Sequence, residues 1–157
     1  MGLRAASRNS GFSLIELIAV LVITGILGGV ALRFFTRQTF DTRGYADQVS
    51  AMLRFAQKSA IAKRRNVCVN VSAGNLTLSF AAAAGAACDP VAANNTPLAA
   101  PDGTAPFSKN APNSVALAPA GNFSFDPLGR PSAAQSIGVT GDIARTVTVE
   151  AETGYVH

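Results

Sequence analysis

Gly11-Phe12-Ser13-Leu14-Ile15-Glu16 opens a segment in which the next sixteen residues, 17–32, carry no charge. Arg4 and Arg8 precede it. Residues 12–35 together reach the length of about 20 apolar residues that a helix needs to cross a bilayer. Basic residues before such a helix favour retention of the leader on the cytoplasmic side. We therefore expect one membrane-spanning helix close to the N-terminus.

Glu16 is the only carboxylate in this apolar segment. An ionised carboxylate in hydrocarbon costs about 2.5–3.5 kcal/mol on insertion scales, so that it needs a partner of opposite charge. Cleavage after Gly11 would give Phe12 a new α-amino group four positions before Glu16. In a bundle of identical N-termini, the amine of one subunit could neutralise Glu16 of the next and set the register between them. Glu16 is therefore a candidate residue for assembly by charge pairing.

An ordinary secretory signal peptide or a simple membrane anchor is the alternative interpretation. A signal peptide places small residues of the A-x-A type after its apolar region. Residues 27–32, Leu-Gly-Gly-Val-Ala-Leu, match that pattern poorly. An acid inside the apolar segment also argues against this alternative.

The order of glycine, phenylalanine, acid and apolar run resembles the class III leader of type IV pilins and type II secretion pseudopilins. The resemblance implies that a prepilin peptidase cleaves between Gly11 and Phe12, that Phe12 is N-methylated, and that Glu16 acts in assembly. It also implies a leader at 1–11, a transmembrane and assembly helix at 12–35, and a head at 36–157. The implied partners are the peptidase, the inner membrane, and other pilins or pseudopilins that contact the N-terminal helix.

The helical pattern continues beyond the membrane segment. Apolar residues recur every three or four positions, while Asp47, Arg54 and Lys58 fall on the opposite side. We expect one long helix from about residue 13 to about residue 63, with its second half packed on the head. Its apolar face comprises Tyr45, Val49, Met52, Leu53, Ala56 and Ala60.

Three glycines, Gly25, Gly28 and Gly29, interrupt the apolar half of this helix. Each costs roughly 1 kcal/mol relative to alanine in a helix interior. They either loosen the segment or allow close approach of neighbouring helices during assembly, or they reflect ordinary small-residue packing in membranes. Arg33 stands where many major pilins have a proline, so that a proline kink is not expected.

Period-two alternation begins after the helix. Residues 67–71 and 76–80 alternate on either side of a Ser-Ala-Gly-Asn turn at 72–75, which predicts a β-hairpin. Residues 81–113 carry five prolines and predict a loop with at most one short strand. Strand signals return at 114–117, 122–125, 137–139, 146–149 and 154–156, and predict a second antiparallel set. The fold class is α+β: the long helix covers an antiparallel sheet, giving a pilin-like lollipop.

Cys68 and Cys88 are the two cysteines of the chain, and the membrane signal directs the head to an oxidising compartment. We expect a disulfide between them, with Cys68 on the face of its strand opposite the valines. The alternatives are two free thiols or a metal site, but the single histidine, His157, leaves too few metal ligands. No cofactor is expected.

The charge pattern argues against nucleic-acid binding and catalysis. The formal charge is +4, and removal of Arg4 and Arg8 with the leader would leave the mature protein weakly basic. The cluster at 63–65 suits the C-terminus of a helix. Acids such as Asp126 accompany no nucleophile motif, and His157 lies on a tail that we expect to fray. Arg130, in the turn after Asp126, either pairs with a nearby acid or is exposed.

Head motifs resemble the GspH/FimT group of minor pilins and pseudopilins. They are Phe-Asp-Pro-Leu-Gly-Arg-Pro at 125–131 and Glu-Thr-Gly-Tyr-Val at 152–156. Segments 43–47, 54–58 and 64–69 most resemble minor pilins of mannose-sensitive haemagglutinin (MSHA) pili. Three functions remain: a minor pilin that joins or primes a fibre, a pseudopilin, or a DNA-binding pilin of the FimT kind. DNA-binding pilins of the FimT kind carry a glycine-arginine motif near the C-terminus. In this chain Tyr155 follows Gly154, so that the arginine of that motif is missing there.

Overall fold

The computed structural model describes residues 13–34 and 37–157. The chain divides into two compact units, of which the second is Arg37–His157. Helix α1, Leu14–Phe34, belongs to the first unit. Its first turn closes on Ser13, whose carbonyl accepts hydrogen bonds from the backbone N–H groups of Glu16 and Leu17 at 3.0 and 3.2 Å. The helix therefore begins where the sequence pattern predicts.

Helix α2, Arg37–Lys63, opens the second unit. All six residues of its predicted apolar face are buried, and Asp47, Arg54 and Lys58 are exposed. The helix ends because Arg64 adopts a left-handed conformation (φ 49°), and Arg65 N–H then donates to the carbonyl of Ala60 at 3.3 Å. Residues 35 and 36, through which a single long helix would continue, lie outside the described residues.

The predicted hairpin is present in a first antiparallel sheet. Strands β1, Val67–Ser72, and β2, Asn75–Phe80, pair in a register that sets Ser72 opposite Asn75. Val67, Val69 and Val71 point into the core, and Cys68 lies on the other face, as predicted.

The proline-rich region contains more sheet than the sequence indicates. It forms two short strands, β3, Thr96–Pro97, and β4, Phe107–Asn110, in addition to a 3-10 turn at Ala92–Asn94. Both strands pair with β2. The expectation of at most one strand is therefore wrong. An edge strand tolerates Pro97, because a residue at a sheet edge can lack an N–H donor.

The later strands divide between two sheets rather than forming one second set. Strand β6, Gly121–Phe125, pairs with β1 in the first sheet. Strands β5, Ala116–Ala118, β7, Gln135–Thr140, and β8, Ala144–Val149, form the second sheet in the order β5-β7-β8. The prediction that 122–125 belongs to the second set is wrong, because alternation identifies a strand without naming its partner.

The C-terminal segment pairs with β8. Val156 bridges to Val149, and His157 exchanges two backbone hydrogen bonds with Thr148 at 2.7 and 3.0 Å. His157 is thus held by the sheet, which corrects the expectation of a frayed tail.

One hydrophobic core lies among α2 and both sheets. Its fully buried members include Val49, Leu53 and Ala56 from α2, Val67 and Leu78 from the first sheet, and Val139 and Val149 from the second. The tyrosine hydroxyl of Tyr45 reaches the edge of this core and donates to the carbonyl of Lys109 at 3.0 Å. Burial raises the pKa of Tyr45. The predicted α+β class, a helix on antiparallel sheets, is confirmed.

Candidate assembly site and head surfaces

Helix α1 is apolar on every side. Each described side chain from Leu14 to Ala31 is exposed, and this window is long and apolar enough to cross a membrane. A helix that is hydrophobic all round is not the amphipathic surface helix of a soluble domain. A bilayer or other apolar helices would cover this surface.

Glu16 lies in the first turn of α1 and is exposed. A carboxylate at this end of a helix interacts favourably with the positive pole of the helix dipole. Gly11 and Phe12, the predicted cleavage and methylation residues, lie outside the described residues. The proposed pairing of Glu16 with a terminal amine therefore stays a prediction.

Small residues mark the middle of α1. The hydroxyl of Thr24 donates to the carbonyl of Val20 at 2.6 Å, so that it is satisfied within the helix. Beyond the adjoining residues and backbone of the helix itself, no atom of the described residues comes within 4 Å of where a Cβ would stand at Gly25, Gly28 or Gly29. This surface is open to close approach by another helix.

The predicted disulfide is present. Cys68 of β1 joins Cys88 with a Cα–Cα distance of 5.7 Å. Two amides hold the same loop on the outer face of the first sheet: Asn66 Nδ2 donates to Ala86 O at 2.7 Å, and Asn122 Nδ2 donates to Pro90 O at 3.2 Å. A cavity of about 310 Å³ remains between loop and sheet. Its lining includes Asn70, Ser79, Asn95, Asn122, Ser124 and Ser132.

Asp126 organises the turn after β6. Its Oδ1 accepts from the N–H groups of Leu128 and Arg130, each at 2.9 Å, and its Oδ2 accepts from the Arg130 guanidinium at 3.1 Å. Partial burial opposes ionisation of the carboxyl, but these hydrogen bonds outweigh it and lower the pKa of Asp126. Of the two alternatives for Arg130, pairing with an acid is the one observed.

The basic cluster at the end of α2 makes local contacts. Lys63 and Arg65 both lie over the ring of Phe80, at 5.2 and 4.7 Å from its centroid. The guanidinium of Arg65 also donates to the carbonyl of Ala81. Two cations of the cluster expected at the C-terminus of the helix therefore contact an aromatic ring of the head.

A second basic feature was missed by sequence analysis. Arg43 and Arg54 of α2 and Arg145 of β8 line a groove of about 490 Å³. The spacing of Arg43, Asp47 and Arg54 in α2 could have indicated a charged stripe. Arg145 joins them only through the tertiary fold.

Metal-binding clusters are not found in the part of the chain that the structure describes. His157 Nε2 lies 3.5 Å from a carboxylate oxygen of Glu150, which is one pair rather than a ligand set.

Comparison with known proteins agrees with this architecture. Residues 6–32 match the family profile described as the prokaryotic N-terminal methylation motif, and residues 45–153 match that of the type II transport protein GspH. None of the curated protein sequences compared with the chain matches it.

Two solved structures share the fold. The type IV minor pilin FimU of Pseudomonas aeruginosa is 13% identical, with a TM-score of 0.53 over 76% of this chain and 88% of its own. The minor pseudopilin EpsH of the Vibrio cholerae type 2 secretion system is 14% identical, with a TM-score of 0.52 over 74% and 94%.

The apolar helix, the methylation motif and the head fold define a type IV minor pilin or pseudopilin. Since the GspH profile covers well over half of the 157 residues, the chain belongs to the GspH family.

Proposed function

We propose that the chain is a minor type IV pilin of the MSHA type, similar to MshC, that joins or primes a fibre. A prepilin peptidase cleaves it between Gly11 and Phe12 and methylates Phe12. Before assembly the protein crosses the inner membrane once, with its head in the periplasm. After assembly the head lies in a surface pilus.

Glu16 is the observation that carries this proposal. It is an exposed carboxylate in the first turn of a helix whose other side chains up to Ala31 are uncharged and exposed. Such a charge is tolerated in a membrane only where an opposite charge meets it. The methylated amine of Phe12 in a neighbouring subunit provides that charge. The inserted helix then becomes the contact between subunits.

A pseudopilin of a type II secretion system is the second candidate. The description of the matching family as a type II transport protein supports it. Such a protein would use the same helix and the same processing in a short periplasmic fibre. The two candidates differ in where the processed protein accumulates.

A structural role suits the chain better than DNA binding or catalysis. Phosphate binding needs several cations on one accessible face, and two residues of the cluster at 63–65 lie over the ring of Phe80. The three arginines of the groove share it with the carboxylate of Asp47, which would repel a phosphate backbone. The proposed partners are therefore the peptidase, the inner membrane and other pilins, without nucleic acid or a cofactor.

The Glu16→Ala variant tests the proposal. We expect it to be processed at Gly11 as in the wild type, because the cleavage residues are unchanged. We also expect it to be missing from sheared fibres, because the amine of the neighbouring subunit loses its partner. Immunoblots of membranes and sheared fibres from the producing cell would measure both.

Glu152→Ala is the matched control, since Glu152 is an exposed acid of the head. It should enter fibres at the wild-type level. Normal incorporation of Glu16→Ala would contradict charge pairing through Glu16.

A further inference from the structure

The groove between α2 and β8 has an excess of positive charge. Arg43, Arg54 and Arg145 line it, against one lining carboxylate, Asp47. All four side chains are exposed. A partner with negative charge would therefore be attracted to it.

Two of these arginines have no ionic partner in the described part of the chain. Neither Arg43 nor Arg145 takes part in the ion pairs found there, which are those of Arg130 with Asp126 and His157 with Glu150. Arg54 differs, because its Nε and Nη2 donate to the carbonyl of Val156 at 3.4 and 3.0 Å. Arg54 thus shapes the groove, while Arg43 and Arg145 can accept a new partner.

A strand edge forms one wall of the same groove. Thr148 uses both its N–H and its carbonyl to bond His157, so that its backbone groups point away from β7. Backbone polar groups of alternate residues in a strand point the same way, and those of Thr146 therefore face the same edge. Thr146 lines the groove, and no described residue outside the sheet bonds its backbone. An extended chain could add to β8 at this point.

We propose that this groove binds an extended, carboxylate-bearing segment of another polypeptide. The segment adds to the edge of β8 at Thr146 by backbone hydrogen bonds. Its acidic side chains pair with Arg43 on one side and Arg145 on the other. The inference does not depend on residues 11–16, so that failure of processing or of fibre entry leaves it intact.

A polypeptide fits the groove better than a nucleic acid does. Asp47 lies within the groove, and Glu150 lies beside His157 at its border, so that a continuous phosphate backbone would meet repulsion. Single carboxylates spaced along a peptide can avoid these positions. The strand edge also offers backbone hydrogen bonds that only a peptide can match.

The test is fluorescence polarisation with the full-length protein in detergent micelles and a labelled, end-blocked peptide of alternating glutamate and threonine. We expect saturable binding that weakens as salt rises. The same peptide with glutamine in place of glutamate should bind much more weakly. The double variant Arg43→Gln/Arg145→Gln should lose about fivefold to tenfold in affinity, the effect of two partly exposed ion pairs. Lys109→Gln, an exposed cation of β4, is the matched control and should bind as the wild type does.

The backbone part of the proposal is tested on the probe, which avoids any effect on folding. Two further probes carry backbone N-methyl groups, one at the odd-numbered and the other at the even-numbered residues of the peptide. One of the two should not bind, because its methyl groups replace the N–H donors that face β8. The proposal would be overturned if the glutamine peptide bound as tightly as the glutamate peptide, or if the arginine double variant kept the wild-type affinity. Binding of both N-methylated peptides would also overturn it. Binding of a single-stranded oligonucleotide in preference to the peptide would overturn it in favour of a nucleic-acid site.

Discussion

Gly154 lies where α2 meets two loops. Its φ is +65°, and a Cβ at this position would overlap the carbonyl oxygen of Gly129 and stand 2.6 Å from Gln57 Nε2. Gln57 Nε2 donates to the carbonyls of Gly129 and Thr153 at 3.0 and 2.8 Å, which ties both loops to the helix. A glycine is required at 154 by both the backbone conformation and the space.

Gly154→Ala should therefore destabilise the head. We expect a loss of about 2–4 kcal/mol in the free energy of unfolding, from the left-handed conformation and the overlap together. Urea unfolding of the full-length protein in detergent, followed by circular dichroism, would measure it. Gly44→Ala, at an open position of α2, is the control and should stabilise slightly. A Gly154→Ala protein as stable as the wild type would contradict the packing described.

The carboxyl of Asp126 makes stability depend on acid pH. The pKa of Asp126 is lower in the folded chain than its value of about 3.9 in the unfolded chain. The ionised carboxylate therefore stabilises the fold above the unfolded-state pKa, and this stabilisation is lost as pH falls through the folded-state pKa. At neutral pH we expect Asp126→Asn to cost about 0.5–1 kcal/mol, the usual size for a partly exposed pair.

Below about pH 4 the unfolding curves of wild type and Asp126→Asn should converge. Asp102, whose pKa is also lowered by hydrogen bonds from Thr104, titrates in both proteins and cancels in the comparison. A difference that stays constant down to about pH 2 would show that ionisation of Asp126 does not stabilise the turn.

At the scale of elements, the loop after β2 is held to the first sheet by one covalent bond. The disulfide from Cys68 to Cys88 spans 20 positions. Closing a loop of this size contributes about 3 kcal/mol in the chain-entropy model. The Cys68→Ala/Cys88→Ala variant should lose about that amount of stability, measured by the same urea unfolding.

Reductant provides the matched control, because the two cysteines of the chain form this disulfide. Reduced wild type should resemble the double variant, and the double variant should not respond to reductant. If reduction leaves the unfolding curve of the wild type unchanged, the bond does not stabilise the head.

The sequence predicted most elements but not all of their partners. The hairpin of β1 and β2 followed from local alternation and a short turn, which involve neighbouring residues only. The pairing of β6 with β1 could not be predicted from the sequence. The paired residues are more than about 45 positions apart, and pairing over that distance leaves no local periodicity. The region of β3 and β4 was predicted to hold at most one strand because proline usually marks loops, whereas an edge of β2 can accept short strands beside it.

At the scale of the whole molecule, predictability differs between the two units. Glu16 and the apolar helix were visible in the sequence, because a membrane segment is a continuous run of residues. The groove of the head was not, since Arg43 and Arg145 are about a hundred positions apart and meet only through the packing of α2 against the second sheet. The membrane segment could be predicted because it is one run of residues. The groove could not, because it is built from residues of two distant elements.

We propose that the chain is a processed fibre subunit whose N-terminal helix enters the assembly. Mass spectrometry of the N-terminal peptide, from sheared surface fibres and from membranes of the producing cell, tests both processing and entry into the fibre. We predict a peptide that begins at N-methylated Phe12 in the fibre fraction. The same peptide in membranes alone would favour a pseudopilin or a priming role. An uncut or differently cut N-terminus would contradict processing at Gly11 and the fibre role that depends on it.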